Sequence, residues 1–129
     1  MQRLKTRAQF QAVLAGATVA RTPHFALHRC ALDAQPGTAT LFATCDVWVG
    51  AMVPKRWARR AVTRNAIKRQ IYCMSAAIQG SLPAAAHVVR LRAAFDRKEF
   101  VSARSDKLQA VVRAELQQLL QRAAVVRAS

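Results

Sequence analysis

The stretch of sequence that decides the fold runs Val49-Gly50-Ala51-Met52-Val53-Pro54-Lys55-Arg56 and resumes, after three residues, as Arg60-Ala61-Val62-Thr63-Arg64-Asn65-Ala66-Ile67-Lys68-Arg69-Gln70-Ile71. Its first part is apolar and ends at Pro54, which cannot donate to a strand ladder and therefore closes a strand. Its second part, with the residues after it, carries apolar side chains at helical spacing: Ile67, Ile71, Met74 and Ile78. This spacing predicts a helix over residues 56–79 with one face towards a core.

Further elements are predicted on both sides of this strand and helix. Before them we expect a short amphipathic helix ending near Gly16, a strand over residues 23–32, and one bent strand or two strands over residues 38–53. After them we expect a strand over residues 86–91 and an amphipathic C-terminal helix with the apolar arc Leu108, Val111, Val112, Leu116, Leu119, Leu120 and Ala123. The order α-β-β(β)-α-β-α predicts an α+β sandwich, with helices packed on one small sheet.

Length and composition fit one domain with a substantial core. The chain has 129 residues, 53% of them hydrophobic and 21% charged, so we expect a single domain over residues 1–129 in which only the C-terminal few residues are disordered. Polar or charged side chains interrupt every apolar run before the roughly 20 residues that a membrane helix needs. The N-terminal residues lead into no apolar signal segment, so we expect a cytoplasmic protein without a membrane partner.

The net charge is the first indication of function. Twenty-one lysines and arginines, most of them arginine, stand against six carboxylates, and the formal charge is +15. So large an excess of one sign repels itself unless a polyanion offsets it, and nucleic acid is the usual polyanion. A basic surface that is merely solvated is the alternative.

The cations are concentrated between residues 55 and 69, a segment with seven cations and no acid. Four of them are spaced by four residues: Arg56, Arg60, Arg64 and Lys68. On a helix these four would form a ridge of like charges that destabilise one another, with no nearby carboxylate to offset them. We interpret the ridge as a contact surface for several phosphates. Asn65, within it, either contacts a nucleic acid through its amide or is an inert surface residue.

The sequence offers no set of residues for catalysis by the protein itself. It contains no evident pair of catalytic carboxylates, no nucleophile with its base and no metal-ligand spacing. Cys30, Cys45 and Cys73 lack zinc spacing and are expected to be small buried side chains in a reducing compartment. His24 and His28 would share a strand face but have no evident third ligand, so no metal site is expected.

Four segments resemble the bacterial ribonuclease P protein component family. Residues 60–71 resemble the family's signature helix, which has the pattern Ala-Val-x-Arg-Asn-Arg-Ile-Lys-Arg. Residues 3–10 resemble its opening Arg-Leu-Lys…Phe segment, residues 49–56 its Gly-Leu-x-Val-(Ser/Pro)-Lys-Lys/Arg strand end, and residues 87–93 the strand after the helix. The resemblance extends over residues 3–122.

This resemblance implies both a fold and a function. The fold would be an α-β-β-β-α-β-α sandwich like the second domain of ribosomal protein S5, with a left-handed βαβ crossover. The function would be that of the protein subunit of a ribonucleoprotein endonuclease that removes the 5′ leader from precursor tRNA. In that family the RNA subunit holds the catalytic Mg²⁺, so the protein alone would bind no cofactor and supply no catalytic residue. The implied partners are ribonuclease P RNA and precursor tRNA, and the free protein would be a monomer.

The resemblance also implies two binding surfaces. Ribonuclease P RNA would contact Lys55, Arg56, Arg59, Arg60, Arg64, Asn65, Lys68 and Arg69. The 5′ leader would lie in a cleft formed by Lys5, Arg7, Phe10, Leu14, Phe25 and His28. Apolar side chains beside basic ones are what a single strand needs, because bases stack on the former while phosphates contact the latter. Taken without the resemblance, the apolar members of this set would equally be ordinary core.

The sequence departs from the family pattern at two places. Ala66 replaces the second arginine of the motif, and Arg59 and Arg60 stand where many members have Gly-Asn. The missing basic contact would then come from Arg59 or Arg60, one helical turn earlier. Leu14 and His28 occupy cleft positions that are often Phe and Tyr, so the cleft is less aromatic here.

Three other functions compete with this one. A structural RNA-binding protein, ribosomal or an assembly factor, shares the charge and the fold class, and the motif helix and leader-dependent binding separate it from a ribonuclease P subunit. A DNA-binding regulator would need a helix-turn-helix pair and a dimer surface, neither of which is evident. A membrane-surface protein is disfavoured because the basic helix has a core-facing stripe and strands around it.

Overall fold

The computed structural model of the protein describes residues 1–32, 41–42, 44–95 and 106–123, except for the side chains of residues 106 and 107. Its elements, in chain order, are β1 (Gln2–Arg3), α1 (Arg7–Leu14), β2 (Ala17–Arg21), β3 (Phe25–Cys30), β4 (Trp48–Met52), α2 (Ala61–Ala77), a 3₁₀ turn (Gln79–Ser81), β5 (Ala86–Leu91) and α3 (Asp106–Ala123). No helix among the described residues is long and apolar enough to cross a membrane.

The strands form one five-stranded sheet in the order β1-β4-β5-β3-β2. β4 pairs in parallel with β1 and β5, whereas β3 pairs antiparallel with β5 and β2. Parallel neighbours need a crossover connection, and α2 supplies it between β4 and β5. The α+β sandwich predicted from the sequence is therefore confirmed.

One face of the sheet carries the larger core, which α2 and α3 cover. Ile67 and Ile71 of α2 are buried in it, and Met74 and Ile78 pack against it partly buried, as the helical spacing predicts. The sheet and α3 contribute the rest of its largest side chains, among them Phe25, Leu27, Val89, Leu91, Val112, Leu116 and Leu119. The hydroxyl of Tyr72 accepts a hydrogen bond from the Ala51 amide at 3.2 Å and ties α2 to β4.

The opposite face, which we call the α1 face, carries a smaller core. Its buried members are Leu4, Val13, Cys30, Phe42, Trp48, Ala86 and Val88, and Phe10 and Leu14 of α1 pack against them partly buried. A capping box fixes the start of α1: the Thr6 hydroxyl accepts from the Gln9 amide, and the Gln9 side chain accepts from the Thr6 amide. The helix ends beside Gly16, as predicted.

The prediction that the basic helix begins at residue 56 is wrong. The carbonyl oxygen of Pro54 accepts from the amides of Trp57 and Ala58, both at 3.1 Å, so the chain turns here instead of entering a helix. Arg60 is still extended, with φ −83° and ψ 132°, and α2 begins at Ala61. Arg56 therefore lies on a turn and Arg60 precedes the helix as its cap residue, so only Arg64 and Lys68 of the predicted ridge lie on α2.

Several strand predictions also need correction. The predicted strand over residues 23–32 is confirmed as β3, but β1 and β2 were not predicted, because two residues are too few for a pattern and β2 contains a register shift between Thr18 and Ala20. Within the described part of residues 38–53 the only strand is β4. The remainder of that prediction, the turn at residues 35–37 and the disordered C-terminal residues after 123 lie outside the described residues.

The three cysteines do not share one environment, contrary to the prediction that all are buried. Cys30 is buried on the α1 face, and burial raises the pKa of its thiol. Cys45 is exposed just before β4 and Cys73 is exposed on α2. Cys73 is exposed because it lies off the stripe of α2 that Ile67 and Ile71 turn towards the core.

A buried polar cluster joins α3 to the β2–β3 turn. Glu115, in the apolar face of α3, accepts from the Thr22 hydroxyl and the His24 amide, both at 2.6 Å, and lies 2.8 Å from His24 Nδ1. The His24 ring stacks on Phe95 with centroids 4.0 Å apart. These hydrogen bonds satisfy a carboxylate that would otherwise be costly to bury, and they fix the turn that aligns β2 with β3.

Candidate nucleic-acid interface

A basic surface begins where the chain leaves the end of β4. The eight residues predicted to contact RNA lie on the loop from Pro54 to Arg60 and on the first part of α2, and we call them the basic surface. Six are exposed and two, Arg64 and Lys68, are half-buried; the exposed ones are Lys55, Arg56, Arg59, Arg60, Asn65 and Arg69. The structure thus brings the predicted set together.

No acid offsets the basic surface within the described part of the chain. Asp46 contacts the N-terminal ammonium and Gln2, and Glu115 contacts Thr22 and His24. No described lysine or arginine side chain forms an ion pair with a described carboxylate. The first turn of α2 holds no acid, and its cap residue makes no side-chain hydrogen bond. The positive end of the helix dipole therefore adds to the field of the arginines, which favours phosphate binding.

Two members of the basic surface also hold the loop in place. Nη1 of Arg64 donates to the carbonyl oxygens of Ala58 and Arg59, at 3.1 and 2.8 Å. The guanidinium of Arg56 lies 5.2 Å from the ring centroid of the partly buried Trp57. Arg64 therefore has a structural role that the sequence did not indicate, whereas Arg69 makes no hydrogen bond within the described residues.

The α1 face holds most of the residues predicted for a leader cleft. Phe10 and Leu14 are half-buried on α1, and the Phe10 ring lies over Gly50 of β4. Lys5 and Arg7 are exposed at the start of α1. Half-buried apolar side chains of α1 thus follow exposed cations at the start of the same helix.

The structure does not bring Phe25 to this surface. Its side chain is fully buried in the larger core, on the face that α2 and α3 cover. Successive residues of a strand point to opposite faces, and His28, an odd number of positions away on β3, points to the α1 face instead. Phe25 is thus an ordinary core residue, which is the alternative that applied to it without the family resemblance.

His28 links three strands on the α1 face. Its Nδ1 lies 3.1 Å from the hydroxyl of Thr18 on β2, and its Nε2 accepts from Nε of Arg90 on β5 at 3.2 Å. Burial lowers the pKa of His28, and the charges of Arg90 and Arg21 lower it further. The imidazole is therefore neutral at physiological pH, with its Nε2 available as an acceptor.

The sequence did not single out Arg21 or Arg90 as site residues. Register places Arg21 opposite Ala26, and Ala26 opposite Arg90, so the two arginines flank one alanine on the α1 face. Met52, the last residue of β4, is in register with Arg90 on its other side. The chain passes from Met52, at the end of this row, through Val53 and Pro54 to Lys55, the first residue of the basic surface. The only feature of the sequence that could have indicated either arginine was a basic side chain within a strand.

Within the described ranges, no three His, Cys, Asp or Glu side chains converge into a group that could hold a metal ion. The described interface residues are cations, the amide of Asn65, the imidazole of His28 and apolar side chains.

Comparison with known proteins identifies relatives of this chain. A family model described as Ribonuclease P matches residues 1–124. A ribonuclease P protein component from Bordetella parapertussis is 40% identical over 92 residues, which are 69% of this chain and 68% of that protein. One from Burkholderia pseudomallei is 37% identical over 79 residues, 61% of this chain. The match spans 58% of the length of the Burkholderia protein.

Solved structures share the fold. The ribonuclease P protein of Staphylococcus aureus superposes with a TM-score of 0.67 at 20% identity and covers 94% of both chains. That of Thermotoga maritima gives a TM-score of 0.64 at 22% identity and covers 95% of this chain and 97% of its own. At these identities the likeness bears on the arrangement of the helices and strands.

Proposed function

The chain belongs to the ribonuclease P protein family, and we propose that it serves as the protein subunit that binds ribonuclease P RNA and the 5′ leader of precursor tRNA. The observation that carries the proposal is the position of the motif helix. Its cations form a surface that no described carboxylate offsets, and the loop that carries more than half of them leaves the sheet just after Met52 of β4, which packs on the α1 face. A polyanionic ribozyme and a single-stranded leader are suited to these two neighbouring surfaces.

In this proposal the protein contributes binding and leaves the chemistry to the RNA. The ribozyme must bind its substrate before it can cleave the leader, and these two polyanions repel each other. A chain with a formal charge of +15 lowers that repulsion. Mg²⁺ held by the RNA would supply the catalytic metal, as the family resemblance implies. The protein would act in the cytoplasm and be a monomer until it binds the RNA.

The two surfaces have separate roles. Arg60, Arg69 and their neighbours would hold the backbone of ribonuclease P RNA, while the amide of Asn65 offers both a donor and an acceptor to a 2′-hydroxyl or a base. On the α1 face, Phe10 and Leu14 would provide the apolar floor for leader bases, with Lys5 and Arg7 at the phosphates. His28 would line this floor.

The test is cleavage of precursor tRNA by a bacterial ribonuclease P RNA at a magnesium concentration too low for the RNA alone. We expect the protein to restore cleavage. Arg69→Ala should weaken that restoration, whereas Arg113→Ala, which removes an exposed arginine from α3, should leave it unchanged. Failure of the wild-type protein to restore cleavage, despite tight RNA binding, would favour a purely structural RNA-binding protein.

A further inference from the structure

The hydrogen bonds of His28 determine which of its ring nitrogens carries the proton. A guanidinium has no acceptor, so Nε2 of His28 must accept from Arg90. The proton of the neutral ring is then on Nδ1, which donates to the hydroxyl of Thr18. Thr18 thus holds the ring in one tautomer and His28 holds Nε of Arg90. The two Nη groups of Arg90 make no hydrogen bond within the described residues.

Arg21 and Arg90 face the same small side chain. They lie on the strands that flank β3, with Ala26 between them. Neighbouring strands are about 4.8 Å apart, so the two Cα atoms are separated by about 10 Å. Ala26 between them is only 1% exposed, so its methyl group is already covered and a ligand would contact the arginine side chains that lie over it. Long side chains on such a pair can converge on one ligand above the alanine. No described carboxylate pairs with either arginine.

Arg90 contacts the His28 ring directly, and the charges of Arg90 and Arg21 both lower the pKa of His28. Two cations on strands that flank one residue repel each other, and a bound phosphate offsets this repulsion. A guanidinium binds a phosphate through two parallel hydrogen bonds, and Arg90 has its Nη donors available for them.

We propose that Arg90 and Arg21 bind one backbone phosphate of the 5′ leader above Ala26, and that His28 is a positioning residue that orients Arg90 for this contact. The inference rests on the proposed function, because it takes the leader to lie on the α1 face. It places the phosphate site in the row that ends at Met52, where β4 leads into the basic surface. A single-stranded leader that crosses the α1 face would pass Phe10 and then this phosphate site.

The first test compares Arg90→Ala with Arg113→Ala in the holoenzyme reconstituted with a bacterial ribonuclease P RNA. Affinities are measured for precursor tRNA with a single-stranded leader and for mature tRNA. Arg90→Ala should weaken precursor binding roughly tenfold, as expected for loss of a charge-assisted hydrogen bond. Mature tRNA should bind unchanged, and Arg113→Ala should affect neither ligand. Thermal melts establish that each variant is folded, and Arg90→Gln replaces Arg90→Ala if the latter melts early.

The second test identifies the phosphate. Each leader phosphate in turn is replaced by an uncharged methylphosphonate. One position should weaken binding to the wild-type holoenzyme and have no further effect on Arg90→Ala, because the contact is already lost there. Equal losses in wild type and variant at every position would overturn the proposal.

The third test examines His28. His28→Ala should weaken precursor binding less than Arg90→Ala does, and the double variant should bind no more weakly than Arg90→Ala alone. His28→Gln should restore binding, because a glutamine amide can donate to Thr18 and accept from Arg90. Additive losses in the double variant would show that His28 does not act through Arg90.

Failure of this inference is distinguishable from failure of the proposed function. If wild type prefers precursor over mature tRNA but Arg90→Ala binds precursor as Arg113→Ala does, the phosphate site is wrong and the subunit role stands. If the wild-type holoenzyme has no preference for a leader, the leader role itself is wrong, and the phosphate site falls with it.

Discussion

Phe10 and Gly50 pack so closely that a β-carbon at position 50 would force the Phe10 ring, the Leu4 side chain or the backbone to shift. A β-carbon built on Gly50 would lie 2.6 Å from Cε1 of Phe10 and 2.8 Å from Cδ1 of Leu4, distances that real contacts essentially never reach. The glycine thus lets the Phe10 ring approach the sheet closely. The ring remains only half-buried there, so its outer part is available to a ligand.

Gly50→Ala should destabilise the fold by about 1–3 kcal/mol, the usual cost of overpacking a core. The added methyl group would push the Phe10 ring away from β4 or shift the backbone of α1. Urea unfolding of wild type and variant measures the difference. An unchanged free energy of unfolding would mean that α1 moves freely on the sheet, contrary to the packing described.

Arg64→Ala should lower stability, because Arg64 holds the loop before α2. The substitution removes two hydrogen bonds to the carbonyls of Ala58 and Arg59, each contributing about 0.5–1.5 kcal/mol. Loss of a like charge from the ridge offsets part of this, by roughly 0.2–0.5 kcal/mol per pair. Arg69→Ala, which breaks no described hydrogen bond, is the matched control in the same melts. A variant Arg64→Ala as stable as Arg69→Ala would contradict the structural role of Arg64.

Binding to ribonuclease P RNA should weaken steeply with salt, because phosphate contacts release counterions. Each neutralised phosphate contributes about −0.7 to −0.9 to the slope of log affinity against log salt. Arg69→Ala should therefore reduce the magnitude of that slope by about 0.7 to 0.9, the contribution of one phosphate. Arg113→Ala should leave the slope unchanged. Affinities measured across a salt series provide the slopes. A slope near zero for the wild-type protein would show that the basic surface is only solvated.

Stability should fall with acidification through His87. Burial lowers the pKa of His87 to about 4, its Nε2 donates to the Pro83 carbonyl, and the charge of Arg29 opposes protonation further. The ordinary pKa of 6.5 applies to the unfolded chain, so between about pH 6.5 and pH 4 the unfolded state binds the extra proton. This contribution is fully present above pH 6.5 and declines by about 3 kcal/mol as the pH falls to 4.

The comparison of wild type with His87→Gln isolates this effect. Unfolding free energies of both proteins are measured by urea titration at several pH values. The wild-type curve should decline more steeply between pH 6.5 and 4, since glutamine does not titrate. Parallel curves would mean that His87 keeps an ordinary pKa in the folded protein.

The sequence predicted those parts of the fold that periodic patterns specify. Ile67, Ile71 and the apolar arc of α3 recur at helical spacing and were located correctly, except that Val111 is only half-buried. The start of α2 was misplaced because the ridge spacing continues back to Arg56, while the turn that interrupts it depends on the Pro54 carbonyl. Spacing alone does not reveal a backbone hydrogen bond of this kind.

The residues of the candidate site also divide into those that the sequence could predict and those that it could not. The basic surface is local in sequence, so its residues could be named from the motif. The α1 face is assembled from β2, β3, β5 and α1, and its members become neighbours only through strand register. Phe25 was included because an aromatic residue in a strand does not show which face it will take. Arg90 was missed because only its bond to His28 distinguishes it.

The central claim is that the α1 face binds the leader, and Phe10→Ala in the reconstituted holoenzyme tests it most directly. Affinities for precursor tRNA and mature tRNA are titrated in parallel, beside a thermal melt of the variant. We expect precursor binding to weaken by about 1–3 kcal/mol, the value of one base–aromatic contact, while mature tRNA binds as it does to wild type. Equal weakening for both ligands, together with an early melt, would show that Phe10 is core and that the leader does not lie on this face.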